Sequence, residues 1–301
     1  MTMTTMTTTR QKRLTQQALD IEATAAREAG AHGFQARALA QASIPHRKTP
    51  GAEFSRTNGD LTLTLLARSD IGLPYGSIPR LLIAWMATEA ARTQSPELVL
   101  GESMAEFLEQ LGIARSGDWK RIGSDGKAYP VLGSYARVSD QMKRLFSCSI
   151  MVTSERGERY DMASGLQPVE RATLFFDPKK PDQLALWKST IQLRPEFFKE
   201  VTTSPVSVDM RALRALRASP MELDVYTWAT YRMSYLSQPT QIPWEALQAQ
   251  FGSAYSRPRD FRRYFEKALN AVLVIYPHLR ASSSDQGLLL RPSPTHVRKH
   301  R

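Results

Sequence analysis

Between Ser77 and Ala90 the apolar residues Leu81, Leu82, Trp85, Met86 and Ala90 recur at three- and four-residue intervals. That spacing predicts a largely buried helix, capped by Ser77 with Pro79 near its start. Ahead of it, the alternation Leu61-Thr62-Leu63-Thr64-Leu65 predicts a strand with one apolar face. Behind it, Leu98-Val99-Leu100 predicts a short extended piece, and Ser103 caps a second helix with Met104, Phe107, Leu108 and Leu111 on one face, stopped at Gly112. A polar loop runs from Ala114 to Pro130. Ser134 to Phe146 then predicts a third helix, with Tyr135, Val138, Met142, Leu145 and Phe146 inward and Arg137, Gln141 and Arg144 outward. Ser149 to Thr153 and Arg171 to Phe176 read as the two strands of a hairpin around a polar loop carrying Arg156, Gly157, Arg159 and Gly165.

The second half repeats this order without repeating the sequence. Ile191-Gln192-Leu193 predicts a short strand, Asp209 to Ala218 a helix, and Ser219-Pro220 opens a helix from Met221 to Leu236. Ile242 leads into a short helix, Pro243 to Phe251, closed by Gly252, and a loop follows from Ser253 to Arg257. The helix Pro258 to Val272 carries Phe261, Tyr264, Phe265, Ala268, Leu269 and Val272 on one stripe and Arg259, Arg263 and Lys267 on the other. Val272 to Tyr276 and Gly287 to Leu290 are expected to be strands around a second polar hairpin at 282–286. Helix, short strand, helix, turn, basic helix and hairpin are the parts of a winged helix. The fold class expected is therefore α+β, mainly α, with two tandem winged-helix domains behind an N-terminal extension. The expected boundaries are a basic, Ala-rich, partly disordered arm over 1–55, a first domain over 56–188, a second over 189–295 and a basic tail over 296–301.

Charge narrows the list of partners. Forty Lys and Arg against 29 Asp and Glu leave a net charge of +11 over 301 residues, so polyanions, and nucleic acid first, are the expected ligands. The single cysteine, Cys148, excludes a disulfide framework and a Cys-rich zinc module, and reads as a buried apolar side chain. No apolar run approaches the ~20 residues of a membrane helix, and no apolar segment follows the Thr-rich start as in a signal peptide. A cytoplasmic chain without membrane contact is expected.

Helix-turn-helix recognition needs a helix whose apolar side packs on the core while its outer side meets base edges, Arg addressing guanine and Gln adenine. The stretch Arg257, Arg259, Arg262, Arg263 and Lys267 against Asp260 and Glu266 has that division, and the alternative is a solvated basic face. Arg137, Gln141 and Arg144, with Lys143 against Asp140, are the second candidate group; a partner protein or solvent is the alternative. Arg211, Arg214 and Arg217 share one side of a helix, where phosphates or solvent would suit them equally. Arg10, Lys12, Arg13, Arg298, Lys299 and Arg301 would add unspecific attraction to phosphates. The segment Gly123 to Ala128 lacks the spacing and the Ser or Thr of a phosphate-binding loop, and the histidines His32, His46, His278, His296 and His300 form no readable metal cluster. His296 and His300 read as solvated tail residues. No cofactor and no catalytic residue is expected.

The block Gly72-Leu73-Pro74-Tyr75-Gly76-Ser77-Ile78-Pro79-Arg80 through Trp85, with Thr88-Glu89-Ala90, Leu98-Val99-Leu100-Gly101, Leu111-Gly112 and Gln141 to Phe146, resembles the plasmid-encoded RepA-type replication initiators. The likeness runs from about Leu61 to about Pro277. It implies a tandem winged-helix protein that binds direct repeats (iterons) in double-stranded origin DNA, promotes opening of the duplex and brings in the host initiator and helicase. It also implies that the protein is not an enzyme. The first winged helix would add DNA contact or hold a homodimer. The rival readings are a winged-helix transcriptional repressor, a nicking or primase-type enzyme, and an adaptor for RNA or protein.

Overall fold

A computed structural model describes residues 8–116, 119–122, 128–131, 133–156, 159–163, 167–174, 189–252 and 255–298. The chain begins with α1 (Thr8–Ala23), β1 (His32–Gln35), α2 (Arg37–Gln41) and the hairpin β2 (Glu53–Asn58) and β3 (Leu61–Leu66). It continues with α3 (Ser77–Thr93), β4 (Glu97–Val99), α4 (Met104–Gln110), β5 (Trp119–Ile122), β6 (Ala128–Val131), α5 (Ser134–Phe146), β7 (Ser149–Arg156), β8 (Arg159–Ala163), β9 (Val169–Thr173) and β10 (Thr190–Leu193). The second half comprises α6 (Pro195–Thr203), β11 (Val206–Asp209), α7 (Met210–Leu216), α8 (Pro220–Met233), β12 (Thr240–Ile242), α9 (Trp244–Phe251), α10 (Pro258–Ile275), β13 (Ala281–Ser284) and β14 (Gly287–Leu290). The protein is thus a mixed helix and sheet fold.

Local chemistry sets several helix starts where the sequence places them, but Ser77 does not cap α3 as expected: Gly76 holds the N-cap position at φ +79°, with no side-chain hydrogen bond to the first turn. The Ser103 hydroxyl accepts the Glu106 N–H at 3.1 Å while the Glu106 carboxylate accepts the Glu102 N–H at 2.8 Å, so α4 is closed by reciprocal capping. Asp209 caps α7 by accepting the Arg211 N–H and Ser219 caps α8 by accepting the Glu222 N–H, and Pro220 and Pro258 sit in the first turns of α8 and α10. The α10 helix runs on to Ile275, which corrects the strand expected over 272–276. Its last turn buries Ala271, Val272 and Ile275 together, a helical face that a short apolar run does not distinguish from a strand.

Two three-stranded antiparallel sheets share one order. In the first half the neighbours are β4-β10-β9, with Ile191 opposite Leu98 and Ala172. In the second they are β12-β14-β13, with Leu290 opposite both Thr240 and Ala281. Gly287 opens β14 at φ +137°, where an added Cβ would lie 2.0 Å from the Ile242 carbonyl oxygen, so no side chain fits there. The first hairpin differs from expectation: β9 pairs with β10, not with β7. Instead β7 joins β3 and β8 in a four-stranded sheet, β2-β3-β7-β8, over a small core of Leu63, Leu65, Leu73, Cys148 and Ile150. The loop expected over 114–130 contains the hairpin β5-β6. The Gly123 to Gly126 turn, Gly157 and Gly165, the end of the strand expected at 175–176, and the start of the Ser253 loop lie outside the described residues.

Strand pairing crosses two of the expected boundaries. Residue 56 falls inside β2, and β10, assigned to the second domain by the boundary at 188, completes the sheet of the first half. The N-terminal arm, expected to be partly disordered, is built into the fold over 8–44. Leu14, Ala18 and Ile21 of α1 enter the main core, α1 lies on α10, and β1 pairs with β11 from His32↔Asp209 to Gln35↔Val206. Its Ala content signals helix but gives no sign of the partner. Residues 1–7 lie outside the described residues.

The main core crosses both halves without interruption, and a buried polar knot ties them at its centre. Asp224 of α8 receives Arg80 of α3 through Nε at 2.6 Å and Nη2 at 2.7 Å, and His46 Nε2 at 2.7 Å. Arg80 also donates to the carbonyls of Ile44 at 2.7 Å and Gly76 at 2.6 Å. Burial pushes the Asp224 carboxyl up, but Arg80 and His46 outweigh it and hold the group below its ordinary value. Burial, opposed by Asp224, holds the His46 imidazole below its ordinary value.

Removing one partner strands the others without water, so Asp224→Ala is expected to lower unfolding stability by about 3–5 kcal/mol, read by denaturant titration. A loss within about 0.5 kcal/mol would remove the knot from its central role.

His296 is packed rather than solvated, which corrects the tail expected over 296–301 at its first residue. Its Nδ1 lies 2.8 Å from the Tyr226 hydroxyl, which also accepts the Asp209 N–H at 3.0 Å, and Tyr276 stacks against it at 4.8 Å. Burial lowers its pKa to about 4, with Arg211 and His278 adding to the shift and Asp209 opposing it. Unfolded histidine titrates near 6.5, so this contribution to stability is complete above about pH 6.5 and is lost as pH falls from there towards about 4. The expected loss is on the order of 3 kcal/mol, and the difference in thermal stability between wild type and His296→Gln across that window measures it. Parallel pH profiles would rule the assignment out.

Candidate nucleic-acid interface

The α10 helix is anchored by aromatic packing before its outer face is considered. Phe261 and Phe265 are fully buried, stacked at 5.6 Å on each other, with Trp244 edge-on to both and Phe251 against Phe265. Opposite this seam, Arg257, Arg259 and Arg263 are exposed. Arg263 lies 3.6 Å from Asp260 and 5.0 Å over the Tyr264 ring, a loose surface pair that leaves its guanidinium edge accessible.

Arg262 and Lys267 have other surroundings. Arg262 donates to Glu266 at 3.1 Å and to Asp285 of the β13-β14 turn at 2.9 Å, and stacks over Trp244 at 5.2 Å. Trp244 Nε1 in turn donates to the Ser284 carbonyl at 3.0 Å. Arg262 therefore fastens the hairpin to α10 instead of standing free beside Arg259. Asp285 is 98% exposed, so the latch is weak and remains open to competition from another anion. Lys267 is half-buried on the side of α10 that faces Glu222; burial raises the pKa of that carboxyl, while Arg10 and Lys267 favour its charged form and oppose the shift.

In the first half the three candidates part company. Gln141 is 4% exposed; its Oε1 accepts the Tyr75 N–H at 2.9 Å and its Nε2 donates to Asp140 at 3.0 Å. Arg144 donates to Asp140 at 2.8 Å and lies over the Tyr75 ring at 5.6 Å. Both hold the Gly72–Tyr75 turn that leads into α3, where Gly72 has φ +81° and an added Cβ would lie 2.7 Å from Arg144 Nη1. Gln141 is thus corrected from an outward to a buried position: the turn covers that side of α5, which helical spacing alone cannot reveal. Arg137 is exposed, as is Lys143.

Several other basic residues bind the chain to itself. Arg211 donates to Asp209 and to the carbonyls of Ile21 and Thr24, tying the end of α1 to α7. Arg214 donates to the Gln110 carbonyl at the end of α4, and Arg217 to the Arg214 carbonyl. Arg10 grips the buried Glu222 carboxylate. All four thus make contacts inside the fold, where phosphate or solvent was the open choice for Arg211, Arg214 and Arg217 and unspecific phosphate attraction the reading for Arg10. Arg47 and Lys48 lie in the Pro- and Gly-rich linker at 45–51, ahead of β2. Both are exposed, and Arg47 lies 5.9 Å over Tyr255, which is 5.2 Å from Tyr264. Proline and glycine around them signal a turn, and nothing in their spacing places them beside α10.

Cys148 is fully buried, and burial raises its thiol pKa to about 12, so it behaves as an apolar side chain. No group of three metal-ligating side chains occurs among the described residues. No helix among them is long and apolar enough to cross a membrane.

A core-anchored helix with a basic outer face beside a small antiparallel sheet offers a surface suited to a polyanion such as nucleic acid. The chain belongs to the family of plasmid-encoded RepA proteins, whose sequence profile matches residues 73–245, and with them it is a replication initiator. Among solved structures it is similar to selenomethionine derivatives of domains 2 and 3 of RctB, at 9% identity and a TM-score of 0.50, covering 85% of this chain and 98% of that one. A second RctB structure, spanning residues 155–483 of that protein, has 10% identity and a TM-score of 0.47, covering 83% and 93%. The first of these likenesses concerns the fold. None of the curated proteins matches the chain.

Because Gln141 satisfies a buried backbone donor, Gln141→Ala is expected to lower stability by about 1–3 kcal/mol while leaving the preference for specific over random duplex unchanged. Denaturation and competition binding on the same preparation test both halves. A changed preference with unaltered stability would return Gln141 to the list of base readers.

Proposed function

We propose that this initiator acts through two winged-helix units in tandem, α3 to β10 and α8 to β14, and that the second is the main reader of double-stranded origin DNA. The observation that carries the reading is the exposed row of Arg257, just ahead of α10, and Arg259 and Arg263 on it, beside a hairpin sheet of order β12-β14-β13. The same order of helix, strand, helix, helix and hairpin around β4-β10-β9 supports the first unit, whose α5 keeps Arg137 and Lys143 outward. In this reading the N-terminal turns of α10 enter the major groove, and Arg262 and Trp244 set the angle of the wing against it.

Copies bound on adjacent direct repeats would bend the DNA and load strain on a neighbouring A·T-rich segment, where opening is cheapest. Host initiator and helicase would then be brought to the opened duplex. The work is binding and deformation in the cytoplasm, with no catalysis or cofactor of its own; the first unit adds DNA contact or holds a homodimer.

Footprinting the full chain on the DNA flanking its own gene, with random duplex as competitor, tests this. Protection of regularly spaced direct repeats with distortion nearby is expected. A single protected inverted repeat over a promoter would indicate a repressor instead, and cleavage abolished by one acid or Tyr substitution would indicate an enzyme. Arg259→Ala and Arg263→Ala are each expected to cost about 1–3 kcal/mol on the protected site and much less on random duplex. Equal losses on both would make them phosphate contacts.

A further inference from the structure

Four planar groups form a continuous row across the start of α10. Arg47 lies 5.9 Å over Tyr255, Tyr255 lies 5.2 Å from Tyr264 at a tilt of 30°, and Arg263 lies 5.0 Å over Tyr264. The row joins the linker ahead of β2 to the exposed side of the candidate reading helix. A guanidinium that lies over a ring uses its face for the ring and keeps its N–H edge free for an anion. Among the described residues no carboxylate is recorded against Arg47.

The backbone beneath Arg47 is held as well. His46, the residue before it, is bound to Asp224 at 2.7 Å, and the carbonyls of Ile44 and Pro45 accept from Arg80. An arginine fixed at its root by a buried knot and at its tip by a ring has little freedom left to lose when an anion arrives. Lys48, next in the chain, and Arg257, Arg259 and Arg263 at the start of α10 are exposed charges of the same sign, with half-buried Asp260 as the acid among them. Successive phosphates on one strand of a duplex are the anion that matches such a row.

We infer that Arg47 is a contact to a backbone phosphate of duplex DNA, beside the groove entered by α10, with Tyr255 and Tyr264 as its positioning residues. The inference rests on the DNA-binding reading above and adds a part of the interface that lies outside both helix-and-hairpin units. It orients the reading helix and carries no base information.

The test is an equilibrium titration of the full chain, in wild type, Arg47→Ala, Arg47→Lys and Tyr264→Ala forms, against random duplex and against whatever site footprinting protects, over a series of salt concentrations. Arg47→Ala is expected to weaken binding about 3–10-fold on both duplexes and to reduce the salt slope by about 1, with the melting temperature unchanged. Arg47→Lys is expected to keep the slope and lose part of the affinity, because the charge remains while the planar seat is empty. Tyr264→Ala should weaken binding without reducing the slope by a full contact. An unchanged slope and affinity in Arg47→Ala would overturn the inference. So would a loss confined to the protected site at constant slope. Random duplex reports on Arg47 whether or not a specific site exists, so absence of footprinted repeats counts against the initiator mechanism alone.

Discussion

The charge of Asp224, sealed between two halves of one chain, is the constraint around which the rest is arranged. A carboxylate out of water needs partners, and Asp224 of α8 draws them from two separate places: α3 through Arg80 and the linker through His46. The first helices of the two helix-and-hairpin units are thereby fixed in register with each other, and the linker between arm and first unit is pulled against both. An apolar contact at the same place would hold as well but would permit sliding. The ion pair admits one alignment, because Arg80 must also meet the carbonyls of Ile44 and Gly76.

From this alignment follows the division of labour among the arginines. Arg80, Arg211, Arg214 and Arg10 spend their donors on carbonyls and carboxylates within the fold. Arg262 occupies a middle position, holding a hairpin turn through an acid that is itself in water. Arg47, Arg257, Arg259 and Arg263 keep theirs outward. A net charge of +11 is therefore a poor guide to the size of the binding face, since part of the basic content works as internal fastening.

Much of the helical fold was legible because its signals are local. Caps such as Ser103 and Ser219, breakers such as Gly112 and Gly252, and the apolar stripes of α5 and α10 all act within a few residues. Strand pairing was not legible, since the alternation in β7 states which face is buried but not whether β3 or β9 lies beside it. The two inserted hairpins, β5-β6 and β7-β8, separate the parts of the first unit and hid the true partner of β9. On the candidate interface the row on α10 was read from spacing, whereas the fate of Gln141 depended on a turn some 66 positions away and that of Arg47 on a knot made by α3 and α8. Helical spacing reports the sides of a helix, and tertiary packing decides which of them meets water.

The placement of α1 also bears on how the protein is made. Arg10 is joined to Glu222, 212 positions further on, and α1 lies against α10, which is later still. At about 5–20 residues per second, a ribosome takes on the order of ten to forty seconds to cover that interval. Helix α1 therefore emerges well before the segments that cover it, with Leu14 and Ile21 uncovered meanwhile, and the part of the core it enters closes only once α10 has been made.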